Sequence, residues 1–135
     1  MAMPDQIFHL RPLEEALGYS QGVRAGDTVY VTGSVSADER GRPLAVGDME
    51  GQLRNAYEDV RKTLAAFDLD FRHVVKETVH TLDFEALLRI SDRVRRDVYE
   101  GVAWPATMWH QVSRLIHPDF LVEVEIIAHA GPGTG

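Results

Sequence analysis

Cysteine is absent from all 135 residues. That excludes disulfides, thiolate nucleophiles and cysteine-ligated zinc together. No apolar run approaches the roughly 20 residues that cross a bilayer as a helix. The N-terminus carries no basic-then-apolar leader, so the expectation is a cytoplasmic protein with no membrane partner. Basic charge is scarce as well: 14 Lys and Arg stand against 21 Asp and Glu, a formal net charge of −7. Phosphate backbones demand clustered cations, so no nucleic-acid partner is expected. The one local concentration is Arg89, Arg93, Arg95 and Arg96, with Asp92 and Asp97 among them. Wound as a helix, these residues scatter over a solvated face.

Metal and phosphate motifs are also missing. The six histidines show no His-x-x-x-His or His-Glu-x-x-His spacing. Strand pairing could still bring His110 near His129, but no metal and no cofactor are expected. The glycines between Gly18 and Gly33 form no Gly-x-Gly-x-x-Gly run and precede no phosphate-binding lysine.

What is present fits one domain, with a core of about residues 7–130, a frayed start at Met1–Gln6 and a flexible tail at 131–135. Ile7–Leu10 reads as an edge strand and Arg11–Gly18 as a connector. Gly22–Ala25 and Thr28–Thr32 read as a strand pair around a Gly-Asp turn. Ser34–Gly47 lacks periodicity and is a loop. Asp48 can cap a helix whose Leu53, Ala56, Tyr57, Val60, Leu64 and Phe67 recur at helical spacing. Val74–Leu82 is a β-branched strand. Asp83 caps a second helix, with Phe84, Leu87, Leu88, Ser91 and Val98 on one face, and Trp104-Pro105 stops any continuation. Ala106–Val112 and Leu121–Ala130 alternate as strands. Two helices cannot cover both faces of such a sheet, so the expectation is an α+β domain with both helices on one face.

Glu123 and Glu125 are the oddity, since they share one face of a strand with Ile127 and His129. Trp109 sits on a strand with the same alternation. A monomer would leave these apolar groups wet. A second subunit over the helix-free face would cover them and place the glutamates at a partly buried seam, where a carboxylate gains chemical interest.

Four stretches together resemble the RidA/YjgF family. They are Gly18-Tyr19-Ser20-Gln21-Gly22-Val23 with Val31-Thr32-Gly33; Gly47-Asp48-Met49-Glu50 through Asn55-Ala56; Val74-Val75-Lys76-Glu77-Thr78-Val79 with Asp83-Phe84; and Pro105-Ala106-Thr107, Gln111-Val112, Arg114-Leu115 and Leu121-Val122-Glu123-Val124-Glu125. Each is weak alone, but their order and spacing run from Tyr19 to Ala128. The resemblance implies a chorismate mutase-like fold, a homotrimer with clefts between subunits, and a small-molecule ligand. It implies hydrolysis of imines and enamines, such as 2-aminoacrylate, to keto acids and ammonia.

In that family an arginine directly after Pro-Ala clamps the substrate carboxylate. Here the position is Thr107, and a hydroxyl cannot replace a bidentate guanidinium contact. Trp109 stands where the family has a small residue or cysteine. Tyr19 matches the cleft tyrosine, Thr32 and Gly33 a Ser/Thr-Gly pair near substrate, and Glu123 the glutamate that positions water. The resemblance thus implies Glu123 as catalytic and Tyr19, Thr32, Gly33, Thr107 and Trp109 as substrate-binding. Each has a plainer reading: an exposed strand acid for Glu123, an interface ring for Tyr19, a strand residue for Thr107 and core packing for Trp109. Arg114 matches a common non-catalytic arginine. The rival functions are a non-catalytic binding or regulatory trimer and, weaker, an endoribonuclease or translation inhibitor, which the net charge disfavours.

Overall fold

The computed structural model describes residues 6–131, so Met1–Asp5 and the last four residues of the expected tail lie outside it. The elements are β1 (Gln6–Phe8), α1 (Leu13–Leu17), β2 (Gly22–Ala25), β3 (Thr28–Ser34), α2 (Met49–Ala66), a 3-10 turn (Phe71–His73), β4 (Val74–Thr81), α3 (Phe84–Val98), β5 (Ala106–Gln111) and β6 (Val122–His129). One six-stranded mixed sheet runs in the order β1-β2-β3-β6-β4-β5. β6 pairs antiparallel with both β3 and β4, while β4 and β5 are parallel. Parallel neighbours need a crossover. α2 supplies it between β3 and β4, and α3 between β4 and β5. Crossovers of one hand put both helices on the same face, and α2 packs against α3, β3 and β6.

Alternation explains the core. Val29 and Val31 of β3 lie beside Ala128 and Ile126 of β6, with Val122 and Val124 continuing the row. Leu53, Ala56, Val60 and Leu64 of α2 and Leu87 and Val94 of α3 close over them. Asp48 and Asp83 cap the two helices, accepting hydrogen bonds from the Gly51 and Ala86 amides. The opposite face of the sheet carries Tyr30 and Met108, each about half exposed (50% and 54%), with no element of the described residues over them.

Four details differ from the sequence reading. The Arg11–Gly18 connector contains the short helix α1, ended by Gly18 in the left-handed region. On α3, Ser91 and Val94 are buried with Leu87, whereas Leu88 stays half exposed. Trp109 lies on the helix-covered side, tilted against Phe84, because β5 is in register with β4 and residue 109 pairs with inward Val79. His110 stacks on His80 at 5.6 Å instead of approaching His129. Among the described residues no group of three or more His, Asp or Glu could hold a metal ion, and no helix is long and apolar enough to cross a membrane.

Candidate active site

Pairing between β3 and β6 slips between Val31, which faces Ile126, and Ser34, which faces Val124. Three steps on β3 match two on β6, so Thr32-Gly33 forms a bulge. Bulges bend a strand and re-aim side chains. Here the bulge brings the backbone of Gly33 under the side chain of Glu123, so close that any β-carbon would overlap its carboxylate. The glycine is required by that approach, not by its dihedral angles.

Burial raises the pKa of Glu123, the neighbouring charge of Glu125 adds to the rise, and His80 opposes it. His80 is the direct cross-strand neighbour of Glu123 on β4. A carboxyl whose pKa is moved toward neutrality is suited to exchanging protons with water.

Tyr19 reaches the same place by another route. The buried carboxylate of Glu14 accepts from the Arg11 amide at 2.6 Å and the Gln21 amide at 2.9 Å, tying the two ends of the α1 segment together. The Gly18 cap then turns the chain, and the Tyr19 amide donates to the Glu14 carbonyl at 3.0 Å. Burial, followed by the charge of Glu14, raises the pKa of the Tyr19 phenol, so it remains a hydrogen-bond donor. Tyr19, Thr32, Gly33 and Glu123 all line one hollow of about 420 Å³, with apolar walls from Leu13, Leu17, Ile116 and Phe120.

Thr107 and Trp109 do not join them. Both lie on the other side of the sheet, at its β5 edge. Thr107 donates to Glu77 Oε2 at 2.6 Å and accepts from the Trp109 indole at 2.7 Å. Glu77 is fully buried, yet its carboxylate is saturated. Tyr57 and Tyr99 donate to Oε1 at 2.7 and 2.9 Å, and Arg95 pairs with Oε2. Burial and then the Glu77 charge push both phenols well above their ordinary range. The Arg95 guanidinium also lies against Tyr99, Trp104 and Trp109, with its Nε unpartnered. Arg95 is therefore not part of the solvated basic face expected of α3.

This cluster escaped the sequence reading, although a signal existed. Glu77 has the same parity as inward Val79 and Thr81, and an acid at an inward position has to find donors.

The profile of the Endoribonuclease L-PSP family matches residues 10–130. The chain belongs to the RidA/YjgF family. The 2-iminobutanoate/2-iminopropanoate deaminase of Bos taurus is 31% identical over 86% of this chain and 82% of its own length. Protein DfrA of Myxococcus xanthus is 32% identical over 93% of this chain and 96% of its own. Among solved structures, a Mycobacterium tuberculosis member of the YjgF/YER057c/UK114 family superposes with a TM-score of 0.79 at 26% identity, covering 92% of this chain and 98% of that one. This RidA/YjgF domain has a hollow beneath Glu123, and at the residue after Pro-Ala it has a threonine that spends both hydrogen bonds inside the fold.

Proposed function

We propose that this protein is an imine or enamine hydrolase of the deaminase type, acting on a small molecule in the hollow under Glu123. The observation that carries this reading is a half-buried carboxylate of raised pKa over the Thr32-Gly33 bulge, with the Tyr19 phenol on the same wall. The chemistry asks for little more. Glu123 removes a proton from water as the water oxygen bonds to the imine carbon, and the C=N electron pair moves to nitrogen. The C–N bond of the resulting carbinolamine then breaks. Both protons of the water reach the departing nitrogen, first the one held by Glu123 and then the carbinolamine's hydroxyl proton, relayed through the same carboxylate. The oxygen thereby closes the C=O bond, and a carbonyl compound and ammonia are left. Tyr19 and Thr32 hydrogen-bond the ligand from the side.

The chain works, in this reading, as a cytoplasmic homotrimer with no nucleic-acid or membrane partner. Association over the helix-free face covers Tyr30 and Met108. Thr107 and Trp109 reach ligand only where the β5 edge of one copy meets the hollow of the next. A second reading, a binding or regulatory trimer without turnover, draws support from the internal commitment of Thr107 to Glu77.

The test is ammonia release from imines generated in situ by an amino-acid oxidase, comparing wild type with Glu123→Gln. Release by wild type that the variant loses supports the hydrolase. Silence from wild type across small and bulky imines favours the binding protein.

A further inference from the structure

Basic side chains of very different availability lie on or near the rim of the hollow under Glu123. Arg11 is spent: its guanidinium pairs with Asp59 at 2.7 Å and donates to the Asp38 and Ala37 carbonyls at 2.8 Å each. His117 also lines the hollow, with its Nδ1 accepting from the Asp119 amide at 3.0 Å. Arg42, two residues from Arg40, is held by Asp38 at 2.9 Å. Arg40 is different. It lines the hollow, and among the described residues its guanidinium has neither a hydrogen-bond partner nor an acid within 4.0 Å.

Its backbone, by contrast, is pinned. Ala37 and Pro43 bridge the two arms of a small hairpin. The Asp38 amide donates to the Arg42 carbonyl at 2.8 Å, and the Asp38 carboxylate accepts from the Arg40 and Arg42 amides at 2.8 and 2.9 Å. Gly41, at φ 79°, turns the tip so tightly against Leu13 that a β-carbon would overlap that side chain. A fixed hairpin tip therefore sets Arg40, exposed and without a partner among the described residues, on the rim of a hollow whose walls are mainly apolar.

Glu123 lines the same hollow, yet no ion pair within 4.0 Å joins it to Arg40. Opposite charges that share a cavity without neutralising each other suit a ligand with its own charges in the reverse order. A protonated imine bearing a carboxylate is such a ligand, with its electron-poor C=N carbon toward Glu123 and its anion toward Arg40. Leu13, Leu17, Ile116 and Phe120 leave apolar wall for a hydrocarbon side chain. We infer that Arg40 is the anion anchor of this site and selects carboxylate-bearing ligands, a role Thr107 cannot fill. The choice of an imine for the Glu123 end rests on the hydrolase reading; the anchor itself does not.

The test is calorimetric binding to the full chain with two stable probes, 4-methyl-2-oxopentanoate and the uncharged ketone 4-methyl-2-pentanone. The proteins are wild type, Arg40→Gln, Arg40→Lys and, as a surface-charge control, Arg72→Gln. Losing a guanidinium–carboxylate contact should weaken keto-acid binding by about tenfold or more in Arg40→Gln. Arg40→Lys should keep part of it, and Arg72→Gln all of it. The neutral ketone should bind wild type and Arg40→Gln alike. The inference is overturned if wild type binds no keto acid, if it fails to prefer the acid to the ketone, or if Arg40→Gln binds the acid as wild type does.

Ammonia release separates the two readings. If keto-acid binding depends on Arg40 but no imine is hydrolysed, the hydrolase reading fails and the anchor stands. If hydrolysis persists in Arg40→Gln with unchanged KM but stops in Glu123→Gln, the anchor fails and the hydrolase stands.

Discussion

Glu123 lies over Gly33 with no room for a β-carbon between carboxylate and backbone. Gly33 is not among the glycines with positive φ, so alanine fits its backbone and only the glutamate has to move. Gly33→Ala should therefore leave Tm within a few degrees of wild type. Ammonia release should drop by about tenfold or more, because displacing a catalytic group by around 1 Å is already costly. Unchanged kcat/KM in this variant would show that the position of Glu123 is unimportant.

The raised pKa of Glu123 predicts two pH effects of opposite benefit. In the hydrolase reading Glu123 acts as a base and must be ionised, so kcat/KM should fall as pH drops through a value above the ordinary 4.5. For stability, a carboxyl whose pKa is raised by folding binds its proton more tightly in the native state. The native state then loses ground as pH climbs from the ordinary value through the folded one. Glu123→Gln should thus unfold at a higher temperature than wild type at pH 7, and the gap should close below pH 4. Thermal unfolding at both pH values checks the sign.

Glu77 is the strongest candidate for a residue on which folding depends. Glu77→Gln breaks the pair with Arg95 and turns an amide donor toward hydroxyls that already donate. Stranding a buried charge in this way costs about 3–5 kcal/mol, readable as a lower urea midpoint at unchanged slope. Thr107→Val removes only one of the four donors and should cost about 1–3 kcal/mol.

Restoring the family arginine should not restore the family site. Arg95 already occupies the Glu77 carboxylate, so Thr107→Arg sets a second guanidinium against the first. We expect the single variant to be less stable than wild type. Arg95→Ala/Thr107→Arg should recover part of that loss, a non-additivity that a double-mutant cycle detects. Additive losses would mean that the two side chains do not compete.

Most of the architecture was legible from local pattern. The stripe from Leu53 to Phe67 marked α2, the caps at Asp48 and Asp83 fell where expected, and strict alternation marked β6 and divided its two faces correctly. Half of the candidate site was legible too. Tyr19, Thr32, Gly33 and Glu123 stand in recognisable motifs, and the fold brings all four to one hollow.

What only the tertiary structure decided is which residues oppose one another. Period-two alternation says that Thr107 and Trp109 share a face, but not which face. The parallel register of β5 on β4 settles that, setting Thr107 beside buried Glu77 and away from Glu123. Arg95 reads as one of several exposed helix cations until a carboxylate from β4 is found beneath it. Arg40 lies in a segment that reads only as a loop until the hairpin tip is placed beside the hollow. Side-chain period is a local property that any strand or helix imposes on its own residues. Register, crossover and loop closure are relations between distant segments, and the identity of one segment's residues does not specify them.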